Sequence, residues 1–244
     1  MWPAGNDEPC RHDISGIDGI LRIDNLAFMH IDVIPAGFIE TNAFLITADS
    51  GEAALVDAPS DVAGAVARLL EQRGARLTAL LVTHGHWDHI GDVEVLHSEG
   101  VTVYAHPGDR AWIEDPQVMG AFMPPGLEIP PIRVDRWVED GEVLDWAGMK
   151  IEVRHVPGHA PGNVLFYFPA LKAAFVGDAL FSGSVGRFDL PGGEWQTLEA
   201  SVRDKIYTLP EDTTVYAGHG PSTTVGKEMR SNPFVRGDAH KSRS

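Results

Sequence analysis

The chain has 244 residues, a formal net charge of -16 and an isoelectric point near 4.9. Because general nucleic-acid binding depends on Lys and Arg neutralising phosphates, this charge argues against a nucleic-acid partner. Hydrophobic residues make up 43% and charged residues 22% of the chain. This composition is that of an ordinary globular protein with a sizeable core, and it excludes disorder as the default state.

The single cysteine, Cys10, excludes an intramolecular disulfide and does not indicate an oxidising compartment. The polar N-terminal segment lacks the features of a secretory signal, and no run reaches the roughly 18 apolar residues of a spanning helix. We therefore expect a cytoplasmic protein with no membrane partner. Residues 1–18 are predicted to form an irregular arm, residues 19–235 a single domain, and residues 236–244 a polar tail.

The first predicted elements are successive antiparallel strands over residues 20–57, where short β-type runs such as FMHIDVI and NAFLITA alternate with turn residues. A helix follows, with Asp61 as its predicted N-cap, apolar residues at helical spacing, and Gly74 after its end. The continuous apolar run LTALLVT then predicts a buried strand. This strand leads directly into a cluster of histidines.

After the cluster, residues 93–98 predict a helix and the run VTVYA predicts a strand. Residues 115–131 are rich in proline and predict a long loop. In this loop Phe122, Met123 and Leu127 are predicted either to form an apolar lid or to anchor the loop. Strand-like runs resume with MKIEVRHV, VLFYF and AAFVG. A helix over residues 197–209 and a last strand, TTVYAG, complete the predicted elements.

The cluster HGHWDH places three histidines and an aspartate within six residues: His84, His86, Asp88 and His89. Alternate side chains of an extended segment point the same way, so His84 and His86 can converge on one point. Asp88 and His89 can address a second point nearby. Burying these groups is costly unless a cation offsets the cost, and the cluster therefore predicts metal binding.

Three further residues of the same type follow predicted strands and lie next to glycine: His159 in VPGHAPGN, Asp178 in AAFVGDALF and His219 in VYAGHGP. Seven candidates exceed the four of a closed structural site and suit two catalytic metals with an open position for water. Asp178 is the natural bridge, because a carboxylate has two oxygens. A set without cysteine suits zinc, iron or manganese.

These segments, HGHWDH, GHAPGN, GDALF and AGHGP, match the ligand pattern of the metallo-β-lactamase superfamily, which the chain resembles over about residues 26–235. The stretches FVGDALFSGSVGRFDLPGG and GHGPSTTVGKEMRSNPF are similar to the glyoxalase II-like (hydroxyacylglutathione hydrolase-like) branch. The chain resembles compact members that lack the C-terminal helical extension with its basic, glutathione-binding residues. The resemblance implies an α/β fold, a four-layer αββα sandwich in a single domain.

The resemblance also implies two divalent metal ions, with zinc favoured over iron or manganese. Asp57, in ALVDAP, is implied to hydrogen-bond a ligand imidazole, although Ser60 stands where the family usually has a glycine. The implied ligands are His84, His86 and His159 for one metal, and Asp88, His89 and His219 for the other, with Asp178 bridging the two.

The predicted function is metal-dependent hydrolysis of a small-molecule thioester such as S-lactoylglutathione. Two cations lower the pKa of a shared water, and the resulting hydroxide attacks the carbonyl carbon. Asp88 and Asp178 are the predicted catalytic residues, with Asp88 ligating a metal and also orienting the water or accepting its proton. Arg187 is a candidate partner for a substrate carboxylate, and a salt bridge to Asp189 is the alternative.

Three alternatives remain open on the same residues. The first is a persulfide dioxygenase, in which one iron is held by the equivalents of His84, His159 and Asp178. The others are a lactonase and a metal-binding scaffold without turnover. The GSVGRFDLPGG loop favours hydrolysis. Trp87, inside the cluster, is predicted either to form a wall of the pocket or to serve packing alone, and the sequence does not indicate an oligomeric state.

Overall fold

A computed structural model describes residues 21–24 and 29–237. The predicted arm at residues 1–18, including Cys10, lies outside the described residues, as does the predicted tail beyond residue 237. The described residues form two β-sheets packed face to face, with helices on both outer faces. This is the four-layer αββα sandwich that the sequence predicted, in a single domain.

The first sheet has its strands in chain order. Its first four strands are antiparallel, and the last four run parallel to one another. The seven strands found among the described residues are β1 (Leu21–Asp24), β2 (Met29–Ala36), β3 (Thr41–Ala48), β4 (Glu52–Val56), β5 (Arg76–Leu81), β6 (Thr102–Ala105) and β7 (Arg136–Trp137).

The strands of the second sheet are β8 (Val143–Trp146), β9 (Met149–His155), β10 (Val164–Phe168), β11 (Ala173–Gly177), β14 (Thr214–Ala217) and β15 (Thr223–Thr224). Their order is β15-β14-β11-β10-β9-β8, and β11 and β14 are the parallel pair. A separate two-stranded sheet joins β12 (Leu180–Phe181) to β13 (Ser184–Val185).

The helices are short, and none in the described part of the chain is long and apolar enough to cross a membrane. The α-helices are α1 (Ala63–Arg73), α2 (Trp87–Ile90), α3 (Val93–Leu96), α4 (Arg110–Glu114), α5 (Trp195–Ser201) and α6 (Val225–Ser231). The 3-10 helices are Pro107–Asp109, Pro116–Phe122 and Pro169–Leu171, and a π-helical turn, Val202–Ile206, continues α5.

Aromatic side chains hold the two sheets together. The ring of Phe44 on β3 lies 5.1 Å from Phe175 and 5.4 Å from Tyr216 on the facing sheet, and these two rings stack at 5.0 Å. All three are almost completely buried. Rings of this size bury large apolar areas, and offset or edge contacts between them add to that stabilisation. These three rings therefore form part of the apolar core between the two sheets.

The predicted helix after residue 60 begins differently from the expectation. Asp61 is not its cap, because it has a left-handed φ of 69°, and Val62 is the residue that precedes the first helical turn. The N–H of Ala63 instead donates to Asp92 Oδ2 at 2.9 Å, so a carboxylate from a neighbouring segment replaces the local cap. The predicted end is confirmed, since Gly74 adopts the left-handed C-cap conformation.

Two other segments differ from the sequence pattern. The predicted loop at residues 115–131 contains the 3-10 helix Pro116–Phe122. The predicted helix over residues 197–209 divides into α5 and the π-helical turn.

The predicted strands of both sheets are confirmed. Because β4, β5, β11 and β14 end at the same side of the sandwich, the residues that follow them meet there.

Candidate metal centre

Seven side chains of the types that bind metals, from five segments, converge where these strands end. Six of them are buried, and the side chain of the seventh, His219, is 27% exposed. They are His84 and His86 in the loop after β5, Asp88 and His89 in α2, His159 in the loop after β9, Asp178 directly after β11, and His219 after β14.

The seven residues form three overlapping groups. Within each group one donor atom from every residue lies within 4.8 Å of the others. His84 and His89 each belong to two of the groups, so the groups make one continuous centre. The groups are His84 with His86 and His159, His84 with His89 and Asp178, and Asp88 with His89 and His219.

The first group faces its ring nitrogens toward one another. His84 Nε2 lies 3.1 Å from His86 Nδ1 and 3.2 Å from His159 Nε2. The carbonyl oxygen of Arg187 lies 2.7 Å from His159 Nδ1, so that nitrogen carries the proton and donates. Nε2 of His159 therefore presents its lone pair to His84.

Thr83 sets the tautomer of His84 in the same way. The Thr83 hydroxyl donates to Asp57 Oδ2 at 2.8 Å and therefore accepts from His84 Nδ1 at 3.1 Å. With its proton on Nδ1, His84 also presents an Nε2 lone pair to the centre. Lone pairs of His84 and His159 facing each other at 3.2 Å repel unless a cation lies between them.

Asp57 supports the centre from below through three contacts. Besides the Thr83 hydroxyl, its Oδ1 accepts from the Thr83 N–H at 2.7 Å. Its Oδ2 lies 2.7 Å from His89 Nδ1. This contact keeps the proton of His89 on Nδ1 and leaves Nε2 facing the other donors.

Asp88 and His219 approach each other on the open side of the centre. Asp88 Oδ2 lies 3.2 Å from His219 Nε2 and 3.3 Å from His89 Nε2, and it accepts the Thr41 hydroxyl at 2.8 Å. The backbone N–H of Asn42 donates to the carbonyl of Gly218 at 2.7 Å. β3 therefore steadies both Asp88 and the His219 loop.

Asp178 lies between the two outer groups. Its Oδ2 is 3.6 Å from His159 Nε2 and 3.5 Å from His219 Nε2, while its Oδ1 is 3.5 Å from His89 Nε2. Both Asp178 Oδ1 and His89 Nε2 are buried without a hydrogen-bond partner among the described residues. Buried polar atoms without a partner are costly, and a cation coordinated by both removes that cost.

The pKa values divide the histidines into two sets. Burial lowers the pKa of His84, His86 and His159, and for His86 the value falls to about 3. The neighbouring imidazoles lower the pKa of His84 further, since a second positive charge nearby is unfavourable. These three residues are therefore neutral at physiological pH, which is the state in which imidazole binds a metal.

His89 and His219 behave in the opposite way. Burial alone lowers the pKa of His89, but nearby carboxylates, chiefly Asp88, raise it well above its usual value. For His219 burial is likewise outweighed, by the hydrogen bond to Asp88. Burial raises the pKa of Asp88 and Asp178, but attraction to His89 holds both below the usual range. This side of the centre attracts positive charge.

The donor set fits divalent cations. Neutral imidazoles with outward-facing lone pairs form one side, and ionised carboxylates form the other. The nitrogen and oxygen donors suit zinc, iron or manganese. Asp178, with one oxygen toward His89 and the other toward His159 and His219, has the position of a bridge.

Sequence reasoning missed Asp109, which links two of the ligand-bearing loops. This carboxylate is only 2% exposed, and it accepts the N–H of Gly85 at 2.8 Å and of Gly162 at 2.6 Å. Burial raises the pKa of Asp109 to about 6, although both backbone N–H groups act to lower it. Nothing in its sequence context, AHPGD, indicates this role, because Gly85 and Gly162 are distant along the chain. Thr41 was missed for the same reason.

A cavity of about 610 Å³ opens onto the centre. Trp87 lines it, which decides between the two interpretations of this residue, and Trp112 stacks on the ring of His86 at 5.3 Å. Arg187 also lines the cavity, but its guanidinium donates to Asp189 through hydrogen bonds of 2.8 and 2.9 Å. Its contact with the metal centre is made by the backbone carbonyl.

The predicted lid residues separate in the structure. Phe122 lines the cavity and is 49% exposed. Met123 and Leu127 instead pack into the core between the first sheet and its outer helices, so these two residues anchor the loop, which was the alternative to a lid. The loop folds back on the core there, because burying these apolar side chains is more favourable than holding them over a solvent-filled opening.

Comparison with known proteins gives one family. The model of the metallo-beta-lactamase superfamily matches residues 36–219. Hydroxyacylglutathione hydrolase GloC of Haemophilus influenzae is 38% identical over 211 residues, which cover 85% of this chain and 98% of the relative.

Two solved structures are also similar. The crystal structure of the B3 metallo-beta-lactamase BLEG-1 has a TM-score of 0.78 and 39% identity, and the match covers 84% of this chain and 99% of that one. The crystal structure of TTHA1623 in a di-iron-bound form has a TM-score of 0.72 and 39% identity, covering 83% and 99%.

Proposed function

Because this chain belongs to the metallo-β-lactamase superfamily, we propose that it is a dinuclear metallohydrolase that cleaves thioesters such as S-lactoylglutathione. The observation that carries the proposal is the convergence of seven nitrogen and oxygen donors, with Asp178 between the two outer groups. The proposed domain is residues 19–235, and the family match lies within it. A relative of 38% identity that is named a hydroxyacylglutathione hydrolase supports the substrate class.

Two divalent cations, of which we propose zinc, would supply a hydroxide at neutral pH and polarise the carbonyl oxygen. One would be held by His84, His86 and His159, and the other by Asp88, His89 and His219. Asp178 would be shared by both, since its Oδ2 lies near His159 of one group and His219 of the other.

The chain's own residues orient this chemistry. The Arg187 carbonyl and the Thr83 hydroxyl hold the rings of His159 and His84 with their Nε2 lone pairs inward. Asp88 stays ionised, because attraction to His89 outweighs burial and lowers the pKa of Asp88. A carboxylate of such low basicity is a poor proton store, which favours an orienting role for Asp88 in catalysis.

The leaving group needs little help from the protein. A thiolate departs from a thioester carbonyl without a strong general acid, in contrast to an amine leaving an amide. The partly exposed His219 lies on the open side of the centre.

The proposed partner is a small-molecule thioester, and the proposed compartment is the cytoplasm.

The test is metal analysis combined with a thioester assay. Two zinc ions per purified chain and hydrolysis of S-lactoylglutathione that a chelator abolishes would support the proposal. Asp178→Asn should lose turnover while its circular dichroism spectrum stays that of the wild type. Metal-loaded protein that hydrolyses no thioester would refute it.

A second candidate is the iron-dependent persulfide dioxygenase. TTHA1623, which is similar to this chain, has a crystal structure in a di-iron-bound form, and this similarity supports iron as a metal for the same donor set. An oxygen electrode distinguishes the two candidates directly. One iron per chain, with oxygen consumed in the presence of glutathione persulfide, would replace the hydrolase proposal with this one.

A further inference from the structure

The cavity beside the metal centre is apolar over most of its wall. Apart from five of the seven donor residues, its charged and polar lining side chains are Arg187 and Ser184. A volume of about 610 Å³ is typical of a pocket that encloses a small organic ligand. Its apolar wall includes Trp87, Trp112, Met119, Phe122, Phe181 and Leu190.

Part of this wall leaves apolar side chains exposed at the mouth of the cavity. Ile39 is 51% exposed, Val118 is 57% exposed and Phe122 is 49% exposed, and all three line the cavity. Contiguous apolar surface of this kind on a folded protein marks a binding site more often than single scattered side chains do. Because these side chains and five of the donor residues line the same cavity, an apolar group that packs on this wall lies beside the metal centre.

The deeper part of the wall is held in place by ring contacts. Trp112 stacks on His86 with an interplanar angle of 20°, and both Trp87 and Trp112 pack against the buried core on the outer side of the first sheet. Rigid aromatic surfaces bind apolar groups with little loss of side-chain entropy. This part of the apolar pocket is therefore formed before a substrate enters.

Few cationic side chains lie around the cavity to pair with an anionic group of a substrate. Arg187 is the only Lys or Arg among the described residues that line the cavity, and its guanidinium is hydrogen-bonded to the carboxylate of Asp189. Neither Lys227 nor Arg230 lines the cavity, and Arg230 is paired with Glu211. The net charge of -16 further disfavours a substrate with two carboxylates, as glutathione has.

We propose that the site selects thioesters with a bulky apolar acyl group, such as a phenylacetyl or medium-length alkanoyl chain, and that a glutathione moiety adds little to recognition. The selection arises from packing of the acyl group against Trp112, Met119 and Phe122 beside the metal centre. This inference rests on the proposed thioesterase function and names its substrate class.

The test uses thioesters that vary the acyl group and the thiol separately. Lactoyl, hexanoyl and phenylacetyl thioesters of N-acetylcysteamine are compared with S-lactoylglutathione, each kcat/KM being divided by the rate constant for hydroxide-catalysed hydrolysis. The two apolar thioesters should exceed the lactoyl one by about tenfold or more. Changing N-acetylcysteamine to glutathione should alter kcat/KM by less than about threefold. A tenfold preference for S-lactoylglutathione would overturn the inference.

A binding measurement on metal-free protein separates this inference from the proposed function. Trp87 and Trp112 line the cavity, so quenching of tryptophan fluorescence should report binding of hexanamide at concentrations where lactamide has no effect. Equal effects of the two amides would contradict the apolar subsite. Protein that binds hexanamide but cleaves no thioester would refute the thioesterase and leave the apolar pocket established.

Two matched variants test whether Phe122 contributes to the preference for an apolar acyl group. Phe122→Ala should lower the ratio of kcat/KM for hexanoyl over lactoyl thioester by about fivefold. Phe234→Ala is the control, because Phe234 is 51% exposed and does not line the cavity, and it should leave the ratio unchanged. If sedimentation shows a dimer that Phe122→Ala dissociates without changing this ratio, the exposed wall is an interface between copies and the inference fails.

Discussion

The Nδ1 atom of His89 lies 2.7 Å from Oδ2 of Asp57, and both side chains are almost completely buried. The contact orients the His89 ring, so that Nε2 points toward Asp88 and Asp178. A buried carboxylate behind an imidazole also makes the opposite nitrogen a better donor. Asp57 therefore acts on the proposed metal centre without reaching it.

Replacing Asp57 by Asn should weaken the metal group that contains His89. The amide cannot match the carboxylate as acceptor, and we expect the affinity of the weaker of two metal ions to fall by about 10- to 100-fold. Competition with a chromophoric chelator measures this. Asp135→Asn, which removes a carboxylate that accepts a backbone N–H outside the centre, is the control. Equal affinities for the two variants would contradict the role of Asp57.

The seven donors should bind two divalent ions in separable steps. Either His86→Ala or His219→Ala removes a member of one outer group and leaves the other outer group complete, so each variant should retain one ion where the wild type retains two. Asp178→Asn should weaken both binding events, because its oxygens face both outer groups. Isothermal titration calorimetry of metal-free protein distinguishes these outcomes. Loss of both ions in His219→Ala would show that the groups do not bind independently.

Position 187 should matter through its backbone and not through its side chain. Arg187→Ala keeps the carbonyl that accepts from His159 and loses only an exposed ion pair with Asp189. We expect kcat/KM to change by less than about threefold. Gly186→Ala is the matched contrast, since a Cβ there would lie 1.7 Å from the carbonyl oxygen of Asp178, and it should abolish metal binding. A tenfold loss in Arg187→Ala would instead indicate direct substrate contact.

Asp109 should make stability depend on pH. Its pKa is raised to about 6 in the folded protein, chiefly by burial, against about 4 in an unfolded chain. Between these values the folded state holds the proton and the unfolded state does not, so the contribution of Asp109 is greatest below pH 4 and is lost as the pH rises through 6. The stability of wild type relative to Asp109→Asn should therefore fall, by about 3 kcal/mol at most, between about pH 4 and pH 7. Urea unfolding of both metal-free proteins measures it, and a pH-independent difference would contradict the shift.

Much of the fold was predictable because its signals are local. Apolar runs identified the strands, and Gly74 marked the end of α1. The N-terminus of α1 was not predictable, since the carboxylate that binds its first free N–H comes from Asp92, in a separate segment. The π-helical turn after α5 was not predictable for a different reason, because helical spacing alone does not distinguish it from a regular helix.

The sequence by itself determined the candidate donors. Imidazole and carboxylate groups next to glycine at strand ends are local features, and all seven converge in the structure. Only the tertiary structure decided what surrounds them. Asp109 joins two loops, Thr41 donates to Asp88, and the cavity beside the donors is lined mostly by apolar side chains and by a single Lys or Arg residue, Arg187. The physical reason is that these contacts join residues from 24 to 53 positions apart. Such pairs meet only when the strands assemble into sheets and, for Gly162 and Asp109, when the two halves of the sandwich pack together, so no spacing along the chain reveals them.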